Sequence, residues 1–153
     1  MIAYERISLK TFRDEGEALR AEHWQEVGHS KEVRTLGLNW PAFEQLERED
    51  ALYVLGVRLD GVLVGYTVSI LRPHLHSVDT LFAHVDLIYL QPKARQGAVG
   101  ARLIKHTDTA LQAVGAQFIT WHVKPEKDFA AILRRNGHAL IESIYGKRCG
   151  GGA

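Results

Sequence analysis

One cysteine, one methionine and four prolines occur in 153 residues. The lone Cys149, near the end, excludes an internal disulfide framework and a paired-cysteine metal site. No apolar run reaches the roughly 18–20 residues of a membrane span, so no membrane partner is expected. Excess charge of one sign is missing too. Nineteen Lys and Arg against eighteen Asp and Glu leave +1, and bulk electrostatics argue against direct nucleic-acid binding. The opening MIAYERISLK lacks the apolar core of a signal peptide, so a cytoplasmic location is the expectation. No internal repeat is visible. Low complexity is confined to the closing GGGA, which points to a disordered tail over 149–153. What is present is ordinary for a globular chain, 46% apolar and 24% charged. Residues 1–148 are expected to form a single domain.

Hydrophobic period and turn residues divide the chain. Ala3 to Leu9 alternates weakly and reads as a first strand. Thr11, with Asp14 three residues on, resembles a capping box. A helix from Phe12 to about Val27 follows, with Phe12, Leu19, His23 or Trp24, and Val27 on its inner side. Gly28 to Asn39 reads as a loop or irregular helix, and Ala42 to Glu49 as a short helix begun near Pro41. Leu52–Leu59 and Val62–Leu71 are strands joined by Asp60-Gly61, a strong hairpin signal. Arg72 to Thr80 is polar, contains Pro73 and reads as a loop.

The stretch from Phe82 to Val114 organises the rest. Phe82 to Leu90 is a strand with apolar residues on both faces, so it is expected to be covered on both sides. Strict alternation puts Phe82, His84, Asp86, Ile88 and Leu90 on one face and Ala83, Val85, Leu87 and Tyr89 on the other. Pro92 ends the strand. Val99, Leu103, Ile104, Thr107, Leu111 and Val114 then recur at helical spacing, closed by Gly115. Between strand and helix lies Arg95-Gln96-Gly97-Ala98-Val99-Gly100. A helix N-terminus offers unpaired N–H groups and a positive dipole end, and glycines before it allow a phosphate to approach the backbone. Gln117–Val123 is a further strand, parallel to the central one across the helix. Glu126–Asn136 is a helix stopped by Gly137, and Ala139–Tyr145 a last strand whose exposed edge could pair in a homodimer.

The turn resembles the acetyl-CoA-binding motif of the GCN5-related N-acetyltransferases (GNAT), Arg/Gln-x-x-Gly-x-Gly/Ala after an apolar strand. Arg95 and Gly100 fit the first and last places, Ala98 stands at the middle glycine, and Gly97 comes one residue early. The flanks, Ile88-Tyr89-Leu90-x-Pro92 and Gly100-x-x-Leu103-Ile104, fit as well. The likeness runs from about residue 2 to 148. It implies an α/β fold with a mixed, mostly antiparallel sheet of six to seven strands flanked by about four helices, in the order β-α-α-β-β-β-α-β-α-β. The segment from His74 to Phe82 also resembles small acetyltransferases encoded by bacteriophages.

The resemblance implies transfer of an acetyl group from acetyl-CoA to a primary amine by direct attack in a ternary complex. Gln96, Gly97, Ala98, Val99, Gly100 and Ala101 would then hold the pyrophosphate, introduced by Arg95. Ile88 and Leu90 would pair by backbone with the pantetheine. A general base must take the amine's proton. Asp86 is the carboxylate on the central strand, where burial is costly unless it is paired or functional, and His84 lies two residues earlier. The family's usual acid, a tyrosine on the last helix, is replaced by Leu133, leaving Tyr145 or Tyr89 as substitutes. His74, His76, Asp79 and His122 fall where an acceptor would lie. His74-x-His76 with Asp79 also suggests a metal, but no fourth ligand follows at fixed spacing, so none is expected. The acceptor is left open among a small molecule, a protein and a modified base. A catalytically weak module that binds acyl-CoA or a partner protein is the alternative reading.

Overall fold

The computed structural model describes residues 1–27 and 37–150. Residues 28–36 of the expected 28–39 loop, and 151–153 of the expected tail, lie outside the described residues. Five strands make one sheet: β1 (Ile2–Arg6), β2 (Leu52–Leu59), β3 (Val62–His74), β4 (Ser77–Leu90) and β5 (Phe118–Trp121). They lie side by side in chain order. Every pair is antiparallel except β4 and β5, which run parallel across a helical crossover. The five helices are α1 (Leu9–Glu15), α2 (Glu17–Val27), α3 (Trp40–Arg48), α4 (Val99–Ala113) and α5 (Ala130–Arg135).

Several expectations need correction. The helix expected over 12–27 is two helices, broken at Gly16, where a Cβ would collide with the Phe12 carbonyl. Its cap is Ser8 rather than Thr11: the Ser8 Oγ accepts from the Thr11 N–H at 3.0 Å. The loop expected over 72–80 is mostly strand. β3 runs on to His74 and β4 starts at Ser77, so only Leu75 and His76 turn. Pro73 fits because the ladder is already irregular between Pro73 and His74. The last strand, 139–145, does not form. Among the described residues the sheet therefore has five strands, not six or seven, and the helices number five, not four.

Other expectations hold. Asp60 (φ 50°) and Gly61 (φ 84°) are both left-handed, as a two-residue hairpin turn requires. The sheet is covered on both faces. On one, Leu103 and Leu111 of α4 pack on Val57, Val64, Ala83, Val85 and Leu90. On the other, Phe12 and Leu19 of α1 and α2 pack on Val54, Tyr66, Val68 and Tyr89. Burying such side chains stabilises the fold by roughly 1.5–3 kcal/mol each before entropy is counted. Among the described residues no helix is long and apolar enough to cross a membrane.

Candidate active site

β4 positions the site, and one residue on it sets the geometry. Ser69 on β3 pairs with Val85 and Val68 with Leu87, so Asp86 has no partner opposite. This is a β-bulge, which reverses the alternation of the residues beyond it. Ala83 and Val85 before the bulge, and Ile88 and Leu90 after it, all pack in the α4 cluster. Leu87 and Tyr89 pack in the opposite cluster. Strict alternation is thus corrected: Ile88 and Leu90 do not share the face of His84.

The bulge also marks where the sheet opens. The parallel ladder to β5 ends at Val85 and Trp121. From Asp86 to Leu90, β4 is paired to β3 on one side and, among the described residues, to no strand on the other. Asp86 itself is exposed and has no ion pair among the described residues. The cost of burying a carboxylate, which singled it out in the sequence, therefore does not apply. What remains is its position at the mouth of the opening.

The open strand leads straight into the turn. A 3-10 turn at Pro92–Ala94 carries the chain to Gly97, whose φ of 55° is left-handed and favours glycine. Ala98 is the N-cap of α4, and Val99 donates to the Gln96 carbonyl at 3.3 Å. Among the described residues, the amides of Gln96, Gly97, Ala98, Gly100 and Ala101 have no hydrogen-bond partner. A Cβ added at Gly97 or Gly100 would meet nothing within 4 Å. Free donors around open space at a helix N-terminus fit a pyrophosphate. The Ala98 side chain is exposed and leaves that donor set intact.

Arg95 holds the turn in place. Its Nε donates to the Leu90 carbonyl at 2.7 Å, and its Nη2 to Glu26 Oε2 on α2 at 2.6 Å. Leu90 therefore already has a partner for its carbonyl oxygen. Hydrogen bonding to Arg95 holds the Glu26 carboxyl below its ordinary range.

His74, His76, His84 and His122, all singled out in the sequence, are brought near one another. His84 Nδ1 and Thr120 Oγ1 on β5 share a hydrogen bond. Burial first, and then the charge of His122, push the His84 pKa down, while Glu142 and Asp86 pull it up. The lowered pKa favours the neutral imidazole. His74 packs on Phe82 with ring centroids 4.4 Å apart, and its Nδ1 accepts from the His76 N–H at 3.2 Å. Asp79 is exposed on the β3–β4 hairpin and Tyr145 is 93% exposed beyond α5; neither is drawn into the His84 group. Among the described residues, no three His, Cys, Asp or Glu side chains converge as a metal site would require.

A second polar group was not picked out as functional from the sequence. His23 on α2 is 8% exposed and its ring stacks on Tyr89, 4.8 Å between centroids. Its Nδ1 shares a 2.8 Å hydrogen bond with the Tyr66 hydroxyl. Burial, helped by the charge of Lys124, pushes the His23 pKa down to about 4. The Tyr89 hydroxyl donates to Glu22 Oε2 at 3.2 Å, and burial with the Glu22 charge pushes its pKa up to about 12. Gln91 Nε2 donates to Glu22 Oε1 at 3.0 Å. A cleft of about 580 Å³ opens here, lined by Ala21, Glu22, Gln25, Glu26, Tyr89 and Pro92. The i, i+4 step from Leu19 to His23 was the signal available in the sequence; the bulge that turns Tyr89 toward it was not.

Comparison with known proteins agrees with this geometry. The profile described as "Acetyltransferase (GNAT) family" matches residues 13–133. Comparison with curated proteins gives no match. Among solved structures, the ribosomal-protein-alanine N-acetyltransferase from Brucella melitensis biovar Abortus 2308 is similar, with a TM-score of 0.72 at 20% identity over 98% of this chain and 100% of that one. The glucosamine-6-phosphate N-acetyltransferase from Arabidopsis thaliana gives 0.72 at 9% identity over 97% and 98%. The aminoglycoside N-acetyltransferase AAC(6')-Iy, solved in complex with CoA, gives 0.66 at 18% identity over 96% and 100%. At these identities the likeness is one of fold.

Proposed function

The chain belongs to the GNAT family of acetyltransferases, and from that premise we propose that it moves the acetyl group of acetyl-CoA to a primary amine in the cytoplasm. The observation that carries this reading is the set of five free amides at the Gln96–Ala101 turn, placed at the end of a half-open strand. Acetyl-CoA supplies a thioester, an acyl group already activated toward an amine. The turn donates to its pyrophosphate. The open edge of β4 beyond Asp86 supplies backbone groups for the pantetheine, with Ile88 the better placed because Arg95 already bonds to the Leu90 carbonyl. This points the thioester at the bulge.

In direct transfer, the amine nitrogen bonds to the carbonyl carbon, the carbon–sulfur bond breaks, and the sulfur leaves as a thiolate. The amine must lose a proton, and Asp86 or the neutral His84 accepts it. A thiol with an ordinary pKa near ~8.5 can leave unassisted. That matters because Leu133, buried in the α5 region, stands where the family's acid tyrosine would be. For the acceptor we infer contacts from His74 and His76 at the β3–β4 turn and from His122 directly after β5; Asp79 and Tyr145 are exposed and stand outside this group. The acceptor is a small molecule, a protein or a modified base.

Isothermal titration with acetyl-CoA, beside plain CoA, tests this first. Micromolar binding that Gly100→Glu abolishes is the expected result, with Asp86→Asn retaining affinity and losing turnover. The Leu133 substitution favours a second reading, a module that binds acyl-CoA without turnover. It would be supported by binding with no product from any amine. Unaltered affinity in Gly100→Glu would overturn the placement of the turn.

A further inference from the structure

Two walls flank the opening beyond Asp86, and the end of α2 touches both. The ladder that joins β4 to β5 stops at Val85 and Trp121. Past that point one wall is the end of β4 with its 3-10 turn, Pro92–Ala94, and Arg95. The other is the chain that leaves β5, with Lys124 and a second 3-10 turn, Pro125–Lys127. Glu26, in the last turn of α2, places one carboxylate oxygen on each. Its Oε2 accepts from Arg95 Nη2 at 2.6 Å, and its Oε1 lies 3.6 Å from Lys127 Nζ. One residue on, the Val27 carbonyl accepts from Lys124 Nζ at 2.7 Å. Glu22, one turn earlier, holds the Tyr89 and Gln91 side chains of the β4 side.

The Glu26 carboxylate is a span across the opening. Its side chain is 22% exposed, and a carboxylate shared by two cations in a network keeps its geometry better than an isolated surface pair. Beyond Trp121 no strand pairing joins the two walls among the described residues. Without the span, a ligand laid between the walls would have to set their width itself, and that ordering weakens binding. The charge of Glu26 acts in the opposite direction. A carboxylate beside the turn repels an anionic ligand there, at a range that salt shortens. Ionic strength therefore separates the two roles.

We propose that Glu26 is a positioning residue that clasps the β4 and β5 walls and sets the width of the gap between them; that the gap receives the pantetheine rests on the acetyl-CoA reading given above. Glu26→Gln and Lys127→Met test this, with circular dichroism to verify the fold. Lys127 is 50% exposed, so its variant keeps the fold even where Glu26→Gln does not. In the unliganded chain, amide exchange over residues 118–128 should quicken by about threefold in either variant, with 52–74 unchanged. Isothermal titration with CoA follows at two salt concentrations. In about 0.5 M salt, where the Debye length is roughly 4 Å, Glu26→Gln should bind about tenfold more weakly than the parent. At about 20 mM salt the deficit should shrink, because the repulsion of the pyrophosphate by Glu26 is gone. The double variant should bind no more weakly than Glu26→Gln alone, since both substitutions open one span. Unchanged exchange, or losses that add in the double variant, overturns the proposal. Quickened exchange in a chain that does not bind CoA supports the clasp and overturns the acetyl-CoA reading instead.

Discussion

β4 is one strand with two fates. Before Asp86 it lies between β3 and β5, and Ala83 and Val85 are buried as in any interior strand. After Asp86 it keeps β3 but, among the described residues, has no strand on its other side and ends in a turn of unpaired amides. The two halves have similar composition and the same neighbour. What separates them is one unpaired residue, which tips the strand away from β5 and turns a structural wall into one edge of a binding cleft. Pairing, more than residue type, decides which half can serve a ligand.

Removing that residue is the sharpest way to erase the difference. Val85 pairs with Ser69 and Leu87 with Val68, so deletion of Asp86 leaves a regular ladder with every side chain on its present face. The deletion variant should therefore fold, with a Tm within a few degrees of the parent, while acetyl-CoA affinity falls by roughly a thousandfold as the cleft closes. Calorimetry and isothermal titration on one sample read both. A deletion variant that still binds acetyl-CoA would mean the bulge does not make the cleft.

The next effect concerns the closed face against which the open half rests. His23 has an ordinary pKa of 6.5 but holds to about 4 in the fold. The unfolded chain binds the extra proton between these values. The His23 contribution is thus complete above pH 6.5 and is lost as pH falls toward 4. At pH 5 it should amount to about 2 kcal/mol less stability than at pH 7. Urea unfolding at the two pH values measures it, and His23→Gln should flatten the difference. A pH dependence unchanged in that variant would assign it to other groups.

The smallest effect asks whether the two faces of the open half act independently. Tyr89→Phe removes one hydrogen bond, to Glu22, and should cost about 1 kcal/mol in urea unfolding. Acetyl-CoA affinity should change little, because phenylalanine keeps the ring that the Arg95 guanidinium lies over at 5.6 Å. A tenfold loss of affinity would show that Glu22 and Gln91 transmit to the turn.

The amino-acid sequence revealed those parts of the molecule that local chemistry dictates. Asp60-Gly61 announces a hairpin because few other pairs tolerate two left-handed residues. Gly97 and Gly100 before a helical pattern mark the turn, and both are open in the structure. Asp86 stands out as a carboxylate in an apolar strand, yet its bulge is hidden there, because a bulge is a property of two paired strands and one strand's residues do not encode it. The faces assigned to Ile88, Leu90 and Tyr89 changed for that reason. Pro73 and the polar run around it concealed a continuing hairpin. The apolar pattern of 139–145 suggested a strand, but a strand needs a partner, and among the described residues the segment pairs with none.

The order of strands carries a consequence for how the chain reaches this state. β2, β3 and β4 are neighbours both in space and along the chain, joined by two tight turns. Their contacts close short loops and can form early. The parallel ladder between β4 and β5 spans only four pairs and waits on the α4 crossover. Assembly should therefore run from the β2–β3–β4 meander outward, with the cleft the last feature to take shape. Destabilising substitutions in β5 would then chiefly speed unfolding, while those at the Asp60-Gly61 turn would slow folding. The part of the molecule that meets its ligand would be the youngest part of each folding event.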